Sequence, residues 1–62
     1  MIYDNVKKYA VKRNISIREL EKRAGISNGT IGKWTRTTPK ITSLQKVAAV
    51  LKISVNTLTK ED

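Results

Sequence analysis

The sequence contains neither cysteine nor histidine. Their absence excludes disulfide bridges and metal sites built from these two residues, and it favours a cytosolic protein over a small secreted one. It also removes the side chains that most often act as nucleophile or general base. Glu19 and Glu21 are two residues apart and point to different faces of a helix, so they form no carboxylate pair. We therefore predict no enzyme, no metal and no cofactor.

Long apolar runs are missing as well. No stretch approaches the ~20 residues that a helix needs to cross a bilayer, and no signal peptide is recognisable at the start. These absences predict a cytoplasmic protein with no membrane partner. With 62 residues and no repeat or linker, the chain has room for one domain, and we predict a single domain over residues 1–62.

Acidic residues are scarce. Five Asp and Glu stand against thirteen Lys and Arg, which gives a net charge of +8. Two of the acidic residues are Glu61 and Asp62, so the rest of the chain carries a still larger positive excess. A field of this strength on a small body suits a polyanion such as nucleic acid. The alternative is that the lysines only keep a small domain soluble, and charge alone does not decide between the two.

Apolar residues at helical spacing predict short helices throughout the chain. Side chains three or four positions apart mark helices over 1–13 and 41–51, and a short helix that begins after a cap at Ser54. The apolar stripes consist of Ile2, Val6 and Tyr9 in the first helix, Leu44, Val47, Ala48 and Leu51 in the long later one, and Val55 and Leu58 in the last.

The rest of the chain is organised around residues 16–35. Ser16 with Glu19 three residues later forms a capping-box pattern, which predicts that a helix begins here. Gly25 suits the left-handed position at which a helix ends, because glycine has no Cβ. Ser27 is a candidate cap for a further helix.

A helix over 28–35 is predicted although its local propensity is weak. Gly29 and Gly32 each cost about 1 kcal/mol relative to alanine inside a helix, and the pair Asn28-Gly29 is typical of hairpin turns. The candidate cap at Ser27 and the apolar face formed by Ile31 and Trp34 nevertheless fit a helix that packs on its neighbours, which favours a helix here. Two helices joined by a glycine turn form a helix-turn-helix, whose second helix enters the major groove of DNA.

Trp34 has two interpretations. Aromatic side chains stack on bases in proteins that bind single strands. Trp34, however, lies three residues after Ile31, which is the spacing of an inward-facing pair. We therefore predict that Trp34 packs in the core.

From about residue 6 to residue 58 the chain resembles the phage lambda repressor and Cro family of helix-turn-helix regulators. The matching stretches are residues 16–34 (SIRELEKRAGISNGTIGKW), Pro39, residues 44–51 (LQKVAAVL) and residues 53–58 (ISVNTL). The resemblance implies a compact all-α domain of five helices with the helix-turn-helix at about 16–35. It also implies that double-stranded DNA with a palindromic operator is the partner, bound by a homodimer, while the free chain is allowed to be monomeric.

Three features depart from the family pattern. Ile17 stands where many members have a glutamine that contacts phosphate. Ala10 and Thr35 stand where many members have an arginine and a glutamate that pair, and losing both leaves no unpaired buried charge. Lys52 replaces the usual glycine after the fourth helix, which predicts a different local cap there.

The resemblance implies a set of residues that contact DNA. Arg18 lies near the start of the second helix, which holds the DNA backbone. Residues at recognition-helix positions, which face base edges or phosphates, are Ser27, Asn28, Gly29, Thr30 and Lys33. Residues in the loop that follows, where phosphate contacts are expected, are Arg36, Thr37, Thr38 and Lys40. For each of these the alternative is an ordinary solvated surface residue.

The predicted function is sequence-specific binding of double-stranded DNA by a transcriptional regulator, in particular a phage or bacterial repressor. The recognition helix, about 27–35, would lie in the major groove, and the protein would associate with the nucleoid. The alternative is a protein-interaction module of the same fold, such as an antitoxin or anti-repressor partner, whose basic face meets an acidic protein. The operator sequence and the choice between repression and activation stay open at this point.

Overall fold

The computed structural model describes residues 1–60. In this range the chain forms four α-helices and one short 3-10 helix, with no strand. The helices are α1 (Ile2–Lys12), α2 (Ile17–Ala24), the 3-10 helix (Ile31–Thr35), α3 (Ile41–Leu51) and α4 (Val55–Thr59). The predicted all-α class is confirmed, with four α-helices and not five. None of the helices described has the length and hydropathy of a membrane span.

Two of the three predicted serine caps, at Ser16 and Ser54, are confirmed. The Ser16 hydroxyl accepts a hydrogen bond from the Glu19 N–H at 3.0 Å, and the Ser54 hydroxyl accepts one from the Thr57 N–H at 3.0 Å. The carboxylate of Glu19 pairs with the Arg23 guanidinium one turn later, at 2.8 Å, instead of returning to the backbone of the cap. Only half of the predicted capping box is therefore formed.

The predicted α-helix over 28–35 is wrong. Residues 28–30 form a turn, and the 3-10 helix follows. Gly29 has a φ of +91°, which lies outside any right-handed helix. The predicted cap at Ser27 is also wrong, because the backbone carbonyl of Ser27, and not its hydroxyl, accepts a hydrogen bond from Thr30 at 3.1 Å.

The core is a single apolar cluster to which every helix contributes. Trp34 is 5% exposed and Ile31 is fully buried, which confirms that both face inward. α2 packs on α3, while α1 packs on both the 3-10 helix and α4. The fully buried side chains that hold these helices together include Val6, Leu20, Ile31, Val47, Leu51 and Leu58. The short 3-10 helix is thus fixed by its buried face and not by its length.

Asn5 ties the first helix to the last. Its side-chain amide donates hydrogen bonds to the carbonyl oxygens of Leu58 and Lys60, both at 2.8 Å. These acceptors belong to the last turn of α4 and the residue after it, where carbonyl groups lack partners within the helix. The contact secures the end of the described chain against α1.

Lys52 ends α3 in the left-handed conformation that glycine usually adopts, with φ 58° and ψ 42°. Its N–H bonds to the carbonyl of Ala49 at 3.2 Å, and the N–H of Ile53 bonds to that of Ala48 at 3.1 Å. The expectation of a different cap is therefore wrong: a lysine takes the ordinary geometry at a cost in backbone strain.

Replacing Lys52 by glycine is expected to stabilise the fold by about 0.5–1 kcal/mol. Relief of the left-handed strain is worth roughly 1–2 kcal/mol, and the larger freedom of glycine in the unfolded chain returns part of it. Urea denaturation would measure the gain as a higher midpoint at an unchanged slope. Asn14→Gly is the matched control. Asn14 also has a positive φ, of 59°, but asparagine tolerates this region, so the midpoint should rise less than for Lys52→Gly. A lower midpoint for Lys52→Gly would contradict this account.

Candidate nucleic-acid interface

Nearly all of the residues predicted to contact DNA lie at the surface. Nine of the ten are exposed and Thr30 is half-buried. The exposed residues are Arg18, Ser27, Asn28, Gly29, Lys33, Arg36, Thr37, Thr38 and Lys40. Seven of the ten line two open depressions, which we call the α2 depression and the loop depression.

The α2 depression lies between the start of α2 and the turn that follows it. It brings Arg18 together with Asn28, although they are far apart in the sequence, and adds Lys22, which the sequence prediction missed. The residues that line it are Ser16, Arg18, Glu19, Glu21, Lys22, Ile26 and Asn28. Two basic side chains and one amide therefore share this hollow with two acidic residues, of which one pairs with Arg23 and the other is buried.

The loop depression lies between the 3-10 helix and the start of α3. The residues that line it are Thr30, Lys33, Trp34, Thr37, Thr38, Pro39, Lys40 and Ser43. The Lys33 carbonyl accepts hydrogen bonds from the N–H and the hydroxyl of Thr37, at 2.9 and 3.1 Å. These contacts fold the loop back on the 3-10 helix, so that Lys33 and Lys40 lie along the same depression.

Three predicted residues line neither depression. Ser27 and Gly29 belong to the turn before the 3-10 helix, and Arg36 caps the end of that helix through its N–H to the Lys33 carbonyl, at 2.9 Å. Their side chains or backbone remain exposed. Each of the three is a chain neighbour of a residue that lines one of the depressions.

Glu21 is not among the residues that the sequence predicts for the site. Within residues 1–60 it is the charged side chain that is buried, with 3% exposure. Both of its carboxylate oxygens accept from the Gly29 N–H at 3.1 Å, and one accepts from the Ile31 N–H at 2.9 Å. The sequence held a signal for it. Glu21 occupies an apolar slot in the helical pattern of Leu20 and Ala24, and a charge in such a slot requires partners.

Most basic side chains of the interface have no acidic partner. Over residues 1–60 the ion pair present is the exposed one between Arg23 and Glu19. Arg18, Lys33 and Lys40 make no such pair in this range. Their charge is therefore available to an anionic partner, and no intramolecular pair has to break first.

A family model described as helix-turn-helix matches residues 6–58, which is most of the chain. The chain belongs to the helix-turn-helix family. The resemblance to the lambda repressor and Cro group is thereby confirmed, and the α2–turn–3-10 arrangement of this helix-turn-helix chain corresponds to the motif that gives the family its name.

Named relatives of this helix-turn-helix chain are bacterial regulators. It is 38% identical over 64 aligned positions to the HTH-type transcriptional regulator SinR from Bacillus licheniformis, and equally so to that from Bacillus subtilis (strain 168). The alignment covers 98% of this chain but 58% of each relative. This chain thus spans little more than half the length of these regulators.

A solved structure has the same fold. The N-terminal DNA binding domain of SinR from Bacillus subtilis matches with a TM-score of 0.91 and 35% sequence identity. The match covers 100% of this chain and 94% of that one. At this identity and coverage the comparison supports the family as well as the all-helical architecture.

Proposed function

We propose that this chain binds double-stranded DNA sequence-specifically, with residues 27–35, the recognition segment, in the major groove. DNA-binding transcription regulation follows from family membership, since the relatives are transcriptional regulators and the solved neighbour is a DNA binding domain. The observation that carries the proposal is the pair of depressions. One lies at the start of the recognition segment and one along it, and each is lined by lysine or arginine without an acidic partner in residues 1–60.

Phosphate contacts and base contacts would come from different residues. Phosphate contacts set affinity and orientation, while contacts to base edges set specificity. Arg18 and Lys22 on one side and Lys40 on the other flank the recognition segment as phosphate partners. Thr37, Thr38 and Arg36 extend the second group along the loop.

Base readout is assigned to Asn28 and Lys33. The amide of Asn28 has the geometry to pair with N6 and N7 of adenine, and Lys33 can reach guanine or a neighbouring phosphate. Thr30 offers a hydroxyl to phosphate and a methyl group to thymine. Ser27 and Gly29 lie at the turn, where small residues let the backbone approach the duplex.

Two copies would bind one operator. Family members of this kind read half-sites about 34 Å apart, one helical turn of the duplex, so that a palindrome matches the two-fold axis of a homodimer. Bound beside a promoter, such a dimer would repress transcription by excluding polymerase, and the protein would act in the cytoplasm at the nucleoid.

Affinity for duplex DNA is expected to fall steeply with salt. With about four to six phosphates contacted per monomer, the slope of log affinity against log salt should be about −0.9 per contact. Fluorescence anisotropy of a labelled duplex across a salt series measures it. Lys40→Ala should make the slope shallower by about 1.

Lys46→Ala is the control for this series, because Lys46 is an exposed lysine of α3 that lines neither depression. It should leave the slope unchanged. Binding to an acidic protein, with no affinity for DNA at any salt concentration, would instead favour the protein-interaction alternative.

A further inference from the structure

Glu21 joins α2 to the recognition segment at the point where the turn passes into the 3-10 helix. Its carboxylate accepts hydrogen bonds from the backbone N–H groups of Gly29 and Ile31, eight and ten positions later in the chain. No basic side chain in residues 1–60 pairs with it. The hydrogen bonds that the Glu21 carboxyl oxygens accept in this range therefore come from backbone N–H groups of the turn and the 3-10 helix.

The conformation of Gly29 is part of the same contact. Its φ of +91° lies between the two donating N–H groups along the chain, and it lets both of them turn toward one carboxylate. A Cβ placed on Gly29 would meet nothing within 4 Å. Glycine is therefore needed here for the backbone angle and not for space.

Asn28 is the chain neighbour of this contact. Asn28 immediately precedes Gly29, lines the α2 depression together with Glu21, and is exposed. Its side chain makes no hydrogen bond within residues 1–60. The backbone that the Glu21 carboxylate holds at Gly29 therefore sets the direction in which the Asn28 side chain leaves the turn.

We propose that Glu21 is a positioning residue, which holds the turn at 28–30 so that Asn28 meets base edges, and that it sets sequence discrimination and not general affinity for DNA. The inference rests on the proposed function. A paired contact to a base tolerates displacements of only about 0.5 Å, whereas phosphate contacts from flexible lysines and arginines tolerate more. Loosening the turn should therefore cost specific binding first.

Charge alone predicts the opposite result for Glu21→Gln. Removing one negative charge from a basic protein should strengthen binding to any duplex. Glutamine keeps the size of the side chain, but its amide is uncharged and puts an NH2 donor in place of one of the two carboxylate oxygens that accept from the Gly29 N–H. Its hydrogen bonds to the turn are therefore weaker than those of the carboxylate. A loss of specific affinity in this variant therefore cannot come from long-range electrostatics.

The test compares Glu21→Gln with Asp4→Asn, which also removes one negative charge, from an exposed position of α1 that lines neither depression. The parent chain first selects an operator from a random duplex pool. Affinities for the selected duplex and an unrelated duplex are then measured by competition. For Glu21→Gln we expect about a tenfold loss on the selected duplex, no loss on the unrelated one and an unchanged salt slope. Asp4→Asn should keep the ratio of the two affinities within about twofold.

Gly29→Ala gives a second route to the same turn, through the backbone angle, and should lower the same ratio. A folded Glu21→Gln or Gly29→Ala variant with the parent's ratio would overturn the proposal, and so would a parallel loss on both duplexes. Hydrogen exchange in the parent chain gives a second test, which does not depend on whether the variants fold. The amides of Gly29 and Ile31 should be protected from hydrogen exchange, and rapid exchange at both would also overturn it.

Failure of the proposed function has a different signature. A parent chain that selects no operator from the pool contradicts DNA readout as a whole. A parent that selects one, with a Glu21→Gln variant that reads it equally well, contradicts only the role of Glu21.

Discussion

Asn28→Ala should bind a selected operator about 10–100-fold more weakly than the parent, and Lys33→Ala about tenfold more weakly. A well-placed contact to a base edge is worth about 1–3 kcal/mol, and 1.4 kcal/mol corresponds to a tenfold change in affinity. Both side chains are exposed, so the melting temperature should change little. Anisotropy titrations on the selected and an unrelated duplex, with thermal melts of each variant, measure both effects.

Two exposed residues of α3 serve as matched controls. Gln45→Ala removes an amide, and Lys46→Ala removes an ammonium, from positions that line neither depression. Both control variants should bind like the parent. If Asn28→Ala and Lys33→Ala also bind their operator like the parent, the recognition segment has been assigned to the wrong residues.

Trp34→Ala should unfold most of the population at 25 °C. Truncating a buried tryptophan to alanine costs about 3–5 kcal/mol, and Trp34 is 5% exposed in the core. A domain of this size has about 3–5 kcal/mol of stability in total. Loss of the far-UV helical signal and of the cooperative melt would report the effect.

Trp34→Phe separates a structural role from a role in base stacking. Phenylalanine restores an apolar ring of smaller volume, so this variant should recover a cooperative melt and bind DNA at temperatures where it is folded. If Trp34 instead stacked on bases, the Trp34→Ala variant should stay folded and lose DNA binding. That result would contradict a structural role for Trp34 in the core.

The helices that could be predicted from the sequence are those with complete local signals. In α3 the apolar residues Leu44, Val47 and Leu51 recur at helical spacing, and each is buried as expected. The start of α2 at Ser16 and its end at Gly25 were likewise fixed by short-range chemistry, a hydroxyl cap and a left-handed glycine. Each of these elements depends mainly on interactions within one or two helical turns.

The recognition segment could not be predicted in the same way. The Asn28-Gly29 turn signal was present, but it was outweighed by the helical spacing of Ile31 and Trp34. Each signal is correct for its own segment. Residues 28–30 form the turn, and Ile31 and Trp34 form the buried face of the 3-10 helix. The contact that joins them comes from Glu21, eight residues away, and no local pattern contains it.

The candidate site was predicted as a list of exposed residues and not as an arrangement. The exposure of Arg18, Asn28 and Lys40 follows from their polar character and was anticipated. Their division between two depressions depends on how α2, the loop and α3 pack against one another, which single-sequence periodicity does not specify. Lys22 was overlooked for this reason.

The hydrogen bonds between Glu21 and the turn limit how the DNA sequence preference of this fold could be changed by exchanging residues. Grafting residues 27–35 of another helix-turn-helix protein onto this chain would replace Gly29, whose φ of +91° turns its N–H toward the Glu21 carboxylate. The graft would leave a buried carboxylate with a poorly oriented donor. A library for new operator preferences should therefore vary residue 21 together with the transplanted segment. On the proposed function, the unit to be exchanged includes one residue of the preceding helix, Glu21.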